Sequence, residues 1–146
     1  MPTAQDRPDL AAMVVRLSRA LIEMERPILA QHGVSMWGYI VLTALRAEPM
    51  RTQAALAEAV GADKTRIITV LDDLQDAGLI SREPDPADRR VRLLALTAAG
   101  RRRHAAVRRG IRAAEETLLA SLPAADRAAF VRTLRALDPR AADDHR

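Results

Sequence analysis

Two short stretches gather the side chains best suited to chemistry at a surface: Asp63-Lys64-Thr65-Arg66 and Asp88-Arg89-Arg90. The first opens a helical pattern, where backbone N–H groups and the positive end of the helix dipole face outward toward an anion such as phosphate. Lys64 and Arg66 carry donors that match guanine edges, and Ile68 or Thr69 offers an apolar contact for a thymine methyl. The second stretch lies in a turn, with Asp88 placed to pair with a neighbouring arginine and hold the tip in shape. Against these, a surface helix with ordinary solvated charges and a weak surface ion pair would look the same.

Catalytic patterns are absent. The chain has no phosphate loop, no dinucleotide fingerprint, no Gly-x-Ser-x-Gly elbow and no His-Glu-x-x-His. His32, His104 and His145 are far apart, with no carboxylate spacing that suggests a metal site, so no metal and no cofactor is expected. Asp72 with Asp76, and Glu115-Glu116, read as exposed helix faces rather than acid/base pairs. No cysteine is present, which excludes disulfides, iron–sulfur clusters and thiol-based sensing.

The elements that position these residues follow from periodicity. Residues 9–31 place Leu10, Met13, Leu17, Leu21, Met24 and Ile28 on one helical face. Pro27 is expected to kink or break that helix, and Gly33 to end it. Ser35 caps a second helix carrying Trp37, Ile40, Val41, Ala44 and Leu45, closed by Glu48-Pro49. A short third helix starts from Thr52, buries Leu56 and Val60 and stops at Gly61. The fourth, capped by Asp63, buries Ile67, Val70, Leu71, Leu74 and Ala77 and ends at Gly78. Two short helices joined in this way have helix-turn-helix spacing. Residues 79–83 and 91–96 then read as strands of a hairpin whose tip, 84–90, is rich in turn formers. Thr97 caps a long helix with Val107, Ile111, Ala114 and Leu118 on its buried face. Pro123 separates it from a last helix carrying Phe130, Leu134 and Leu137. The run Arg101-Arg102-Arg103-His104, with Arg108 and Arg109, reads as a solvated basic face, with an approach to a nucleic-acid backbone as the alternative.

Bulk properties agree with one small, mainly helical domain, or two smaller ones sharing a core. Hydrophobic residues make up 49% of 146 positions and aromatics only 2%, so the core must be aliphatic. The net charge is +4, and the excess lies in residues 51–112, with thirteen Lys/Arg against eight acids. A polyanionic partner is the simplest consequence. No signal-like N-terminus and no apolar run near the ~18 residues of a membrane span is present. A cytoplasmic location without membrane contact is expected.

The order of elements, together with Asp88-Arg89-Arg90-Val91-Arg92-Leu93-Leu94-Ala95-Leu96-Thr97-Ala98-Ala99-Gly100, resembles the MarR family of bacterial transcription factors across essentially the whole chain. The match is to the family's wing signature, Asp-x-Arg followed by Leu-x-Leu-Thr-x-x-Gly, and Gly78-Leu79-Ile80 matches as well. The resemblance implies a mainly α fold with a small β-hairpin wing. Residues 35–97 would form the winged helix-turn-helix, and 1–34 with 98–146 the dimerisation helices. It implies a ligand-responsive repressor that binds a pseudo-palindromic duplex as a homodimer, and no enzyme activity. The DNA-contacting set is then Thr52, Gln53, Asp63, Lys64, Thr65, Arg66, Ile68, Thr69, Arg89 and Arg90, with Arg90 inserted into the minor groove and Asp88 supporting the wing. A small aromatic or phenolic effector is implied too, with Trp37 and Tyr39 as pocket-lining candidates or, alternatively, core residues. One departure stands out: many relatives carry Arg or Lys where Thr69 and Asp73 stand, so base reading must rest on the first two turns of the helix. A non-specific architectural DNA binder, or a dimerisation module serving an enzyme, are the competing functions.

Overall fold

Helix α1, Leu10–Gln31, continues through Pro27 rather than ending there. The structure, a computed structural model, describes residues 4–48 and 51–140, without the side chain of Arg51. Pro27 removes one backbone donor, but Leu29 beyond it is buried and the helix end is closed by His32, Gly33 and Val34 amides bonding back to Ile28, Leu29 and Ala30 carbonyls. Burial and a complete C-terminus outweigh the single lost bond. Helix α2, Met36–Ala47, is capped as expected, the Ser35 hydroxyl accepting from the Gly38 amide at 2.9 Å. Pro49, expected to close it, lies outside the described residues.

Helices α3, Gln53–Val60, and α4, Lys64–Asp76, form the helix-turn-helix. Gly61 between them sits at φ 69°, a left-handed conformation that favours glycine and lets the chain reverse within three residues. Three strands follow the order β1-β3-β2: Arg51–Thr52, Arg92–Leu96 and Ile80–Pro84, all antiparallel. Strand β1 is absent from the sequence reading. Two residues cannot express a period, and its pairing with Leu94 and Leu93 is purely long-range. Pro84, placed in the loop by the sequence, instead ends β2 opposite Arg92, a terminal position where a missing N–H costs little.

Helix α5, Ala98–Leu119, is started by Thr97, whose hydroxyl accepts from the Gly100 amide at 3.0 Å and donates to the Gly78 carbonyl at 2.6 Å. Gly100 meets the backbone here: a Cβ on it would lie 1.9 Å from the Leu79 carbonyl oxygen. Helix α6, Ala124–Leu137, follows Pro123. The chain divides into two compact units, Met1–Ile111 and Arg112–Arg146. The core of the first is aliphatic, built on Val41, Leu42, Leu45, Leu56, Ile67, Leu71, Leu94 and Val107.

Several expected core positions are not core within one chain. Ala77 is exposed, Val60, Val70 and Ala114 are half-buried, and Leu10, Leu118, Leu134 and Leu137 are exposed. His104 departs in the other direction. It was expected on a solvated basic face and is instead 1% exposed, because it falls on the same side of α5 as Gly100, Val107 and Ile111. No single helix among the described residues is long and apolar enough to cross a membrane.

Candidate nucleic-acid interface

The site begins with the cap of α4. Asp63 Oδ1 accepts from the Arg66 amide at 2.7 Å and its carbonyl from the Ile67 amide at 3.0 Å, which fixes the first turn. With Ile67, Leu71 and Leu74 anchored in the core, the helical period turns Lys64, Thr65, Arg66, Ile68 and Thr69 outward, and all five are exposed. Ile68 is 44% exposed, a large apolar side chain held out in solvent among polar neighbours. The exposed Thr69 bonds its hydroxyl back to the Thr65 carbonyl at 3.2 Å. Asp63, Thr65, Arg66, Thr69 and Val70 line a concavity of about 340 Å³ along this helix. Thr52 and Gln53 are half-buried at the start of α3, the Thr52 hydroxyl being engaged by the Ala55 amide as a cap.

The wing places its cations equally openly. Residues 84, 86, 87, 89 and 90 are exposed, and the Arg90 side chain is 91% accessible. Asp88 holds the tip as the sequence suggested. Its Oδ1 accepts from both the Arg90 amide at 3.1 Å and Arg90 Nε at 3.2 Å, and its carbonyl accepts from Val91. Asp85 closes the other side, accepting from the Ala87 amide while its own amide donates to Val91. At such exposure the Asp88–Arg90 pair is worth about 0–1 kcal/mol, so a phosphate or a groove edge can compete for the guanidinium.

One residue that joins the helix to the wing was missed by sequence reasoning. Arg82 of β2 donates Nη2 to Asp72 Oδ1 of α4 at 2.6 Å. Asp72 lies on an exposed helix face, as the sequence suggests, and its carboxylate also braces the wing strand. Nothing in the sequence separates Arg82 from the other arginines, since the pairing depends on how α4 and β2 meet. Two further arginines of the basic run are also tied down: Arg101 Nη1 bonds the Leu96 carbonyl and Arg103 Nη1 the His32 carbonyl.

Trp37 and Tyr39 stand two positions apart on α2, and their rings meet different neighbours. Trp37 faces α4, with the Arg66 guanidinium 5.3 Å from its ring centroid. Tyr39 stacks on His104, centroids 5.2 Å apart and planes 14° from parallel. His104 Nε2 lies 3.0 Å from the Thr43 hydroxyl, whose own proton goes to the Tyr39 carbonyl. The buried Nδ1 has no partner among the described residues. Burial, and then the nearby Arg46 and Arg108 guanidinium groups, hold the His104 pKa below its ordinary value of 6.5. A separate cavity of about 330 Å³ is lined by Ile22, Arg26, Leu29, Val34, Ser35 and Met36, among others, and by neither aromatic ring. No cluster of three or more His, Cys, Asp or Glu residues with metal-binding geometry occurs among the described residues.

Comparison with known proteins places this arrangement. The MarR family matches residues 32–91, which span the turn before α2 through the wing tip. A putative transcriptional regulatory protein for the hcr operon of Thauera aromatica is 30% identical over 118 residues, covering 81% of this chain and 71% of that protein. Among solved structures, the PcaV transcriptional regulator of Streptomyces coelicolor, in complex with its natural ligand, is 32% identical with a TM-score of 0.65, covering 96% of this chain and 99% of that one. The Mycobacterium tuberculosis protein Rv2887 in complex with DNA is 26% identical with a TM-score of 0.79, covering 90% and 99%, and has also been solved with p-aminosalicylic acid.

Proposed function

The chain belongs to the MarR family, transcription regulators rather than enzymes, and from that premise we propose that it is a repressor binding a pseudo-palindromic operator as a homodimer. The observation that carries this reading is the joint presentation of two cationic elements in the first compact unit. The capped, outward first turns of α4 carry Lys64, Thr65, Arg66, Ile68 and Thr69, and the wing carries Arg89 and Arg90. A helix of this kind fits a major groove about 12 Å wide, and an exposed arginine suits a narrow minor groove. Thr52, Gln53 and Asp63 contribute at the backbone level, where α3 and the α4 N-terminus approach phosphates.

The homodimer is supported by apolar residues left in solvent on the outer helices. Leu10, Val14, Val15 and Ile22 of α1 are 39–61% exposed, and Val131, Leu134 and Leu137 of α6 are 38–75% exposed. Residues 1–34 and 98–146 then serve as the dimerisation region and 35–97 as the reading head. Two heads would meet half-sites about 34–36 Å apart. A small aromatic or phenolic effector that lowers operator affinity completes the proposal. The cavity between Leu29 and Met36 is of adequate size for one ring, and Arg26 on its wall is a cation for an acidic substituent.

Selection of bound sequences from a random duplex pool tests the reading. Enrichment of an inverted repeat with half-sites one helical turn apart is expected. Uniform, salt-sensitive binding without enrichment would instead favour a non-specific architectural protein.

A further inference from the structure

The Arg66–Trp37 contact gives α2 a part in base recognition. An exposed arginine carries considerable rotamer freedom, and ordering it on a base edge costs entropy at the moment of binding. A guanidinium held within about 6 Å of a Trp ring centroid is attracted by the ring face, and here the separation is 5.3 Å. Held in this way, the guanidinium keeps its N–H donors at its in-plane rim, the geometry that reads guanine O6 and N7 in pairs. The Arg66 backbone is fixed independently, its amide bonded to Asp63. Both ends of Arg66 are thus constrained before DNA arrives, one by the helix cap and one by a residue of a different helix. Trp37 can hold this position because the α2 start packs closely in the core. A Cβ on the adjacent Gly38 would lie 3.3 Å from Val34 Cγ1 and 3.5 Å from Leu74 Cδ2 of α4, so the relation between α2 and α4 is tight.

We propose that Trp37 is a specificity-determining positioning residue that pre-orients Arg66 for one base pair of the operator. The proposal rests on the reading of α4 as the recognition helix. Trp37 thereby takes a role different from the effector-pocket one suggested by its sequence position, and none of the residues lining the cavity between α1 and α2 is needed for it.

The test uses the full-length protein, the selected operator and a duplex of random sequence at fixed salt. Arg66→Ala identifies the base pair that Arg66 reads. Trp37→Leu is expected to weaken operator binding about three- to fivefold and to relax preference at that same base pair. Affinity for the random duplex should stay unchanged. Trp37→Tyr, which keeps an aromatic face, should retain most of the preference and covers the case in which the leucine variant folds poorly. In an Arg66→Ala background, Trp37→Leu should change nothing further. Because Trp37 is the only tryptophan, its emission should also change on operator addition, and less so in Arg66→Ala. Equal losses from Trp37→Leu in both backgrounds, tighter binding by that variant, or an unaltered base preference overturns the proposal. If Arg66→Ala itself leaves operator binding intact, the α4 reading fails at that residue and the proposal with it, an outcome distinct from Trp37 failing alone.

Discussion

At the scale of single residues, the protein uses charge openly and histidine covertly. Arg90 is solvent-exposed and held only by a weak ion pair, so Arg90→Ala should leave stability within about 0.5 kcal/mol while weakening operator binding, measured by titration at fixed salt. The proposed dimer should persist. His104 behaves in the opposite way. It is stacked on Tyr39, bonded to Thr43 and biased toward its neutral form by burial and by two arginines. Its folded pKa lies below the unfolded one, so the unfolded chain binds more protons as pH falls below about 6.5. The stability it contributes is complete above that pH and is lost as pH falls toward the folded pKa. Denaturant unfolding between pH 7.5 and 5 should therefore show a steeper acid decline for the wild type than for His104→Phe, which keeps the stack and cannot titrate. Parallel slopes would remove His104 from the pH response. None of this was legible in Arg101-Arg102-Arg103-His104 as a string, because a run of four polar residues turns through every face of a helix and only one faced inward.

At the scale of elements, the junctions matter more than the elements. Caps at Ser35, Thr52, Asp63 and Thr97 were readable because each is a local bond between a side chain and an amide three residues on. Strand β1 and the Asp72–Arg82 pair were not, since both arise from residues brought together by tertiary packing. That pair predicts an outcome: Asp72→Ala should free Arg82, lower the ratio of specific to random-duplex affinity, and leave unfolding nearly unchanged. Restoration of the ratio by exchanging the two charges would show that the pair, and not net charge, sets it. Gly100 marks the tightest junction. Any side chain there collides with the Leu79 backbone at the point where Thr97 ties α5 to the end of α4. Gly100→Ala should cost at least about 1–3 kcal/mol in chemical denaturation. A variant as stable as wild type would mean the junction can open without loss.

At the scale of the whole molecule, the mismatch between pattern and burial is itself informative. The apolar stripe read along α1 and the leucines of α6 have the periodicity of buried faces, yet Leu10, Leu134 and Leu137 remain in solvent within a single chain, as does Val14 beside the stripe. No residue of α6 is buried. Each of these helices by itself leaves apolar side chains uncovered, and a second copy is the occupant that the proposed symmetric operator requires. Introducing charge on either helix separately, Val14→Glu or Leu134→Glu, should therefore shift sedimentation toward monomer. These sites are already exposed in the monomer, so the helix-turn-helix should remain folded by circular dichroism. Operator affinity should fall far more than affinity for a half-site duplex, because a monomer keeps one reading head and loses the linkage between two. If both variants stay dimeric and bind as the wild type does, those faces serve another purpose and the two-headed mechanism loses its support.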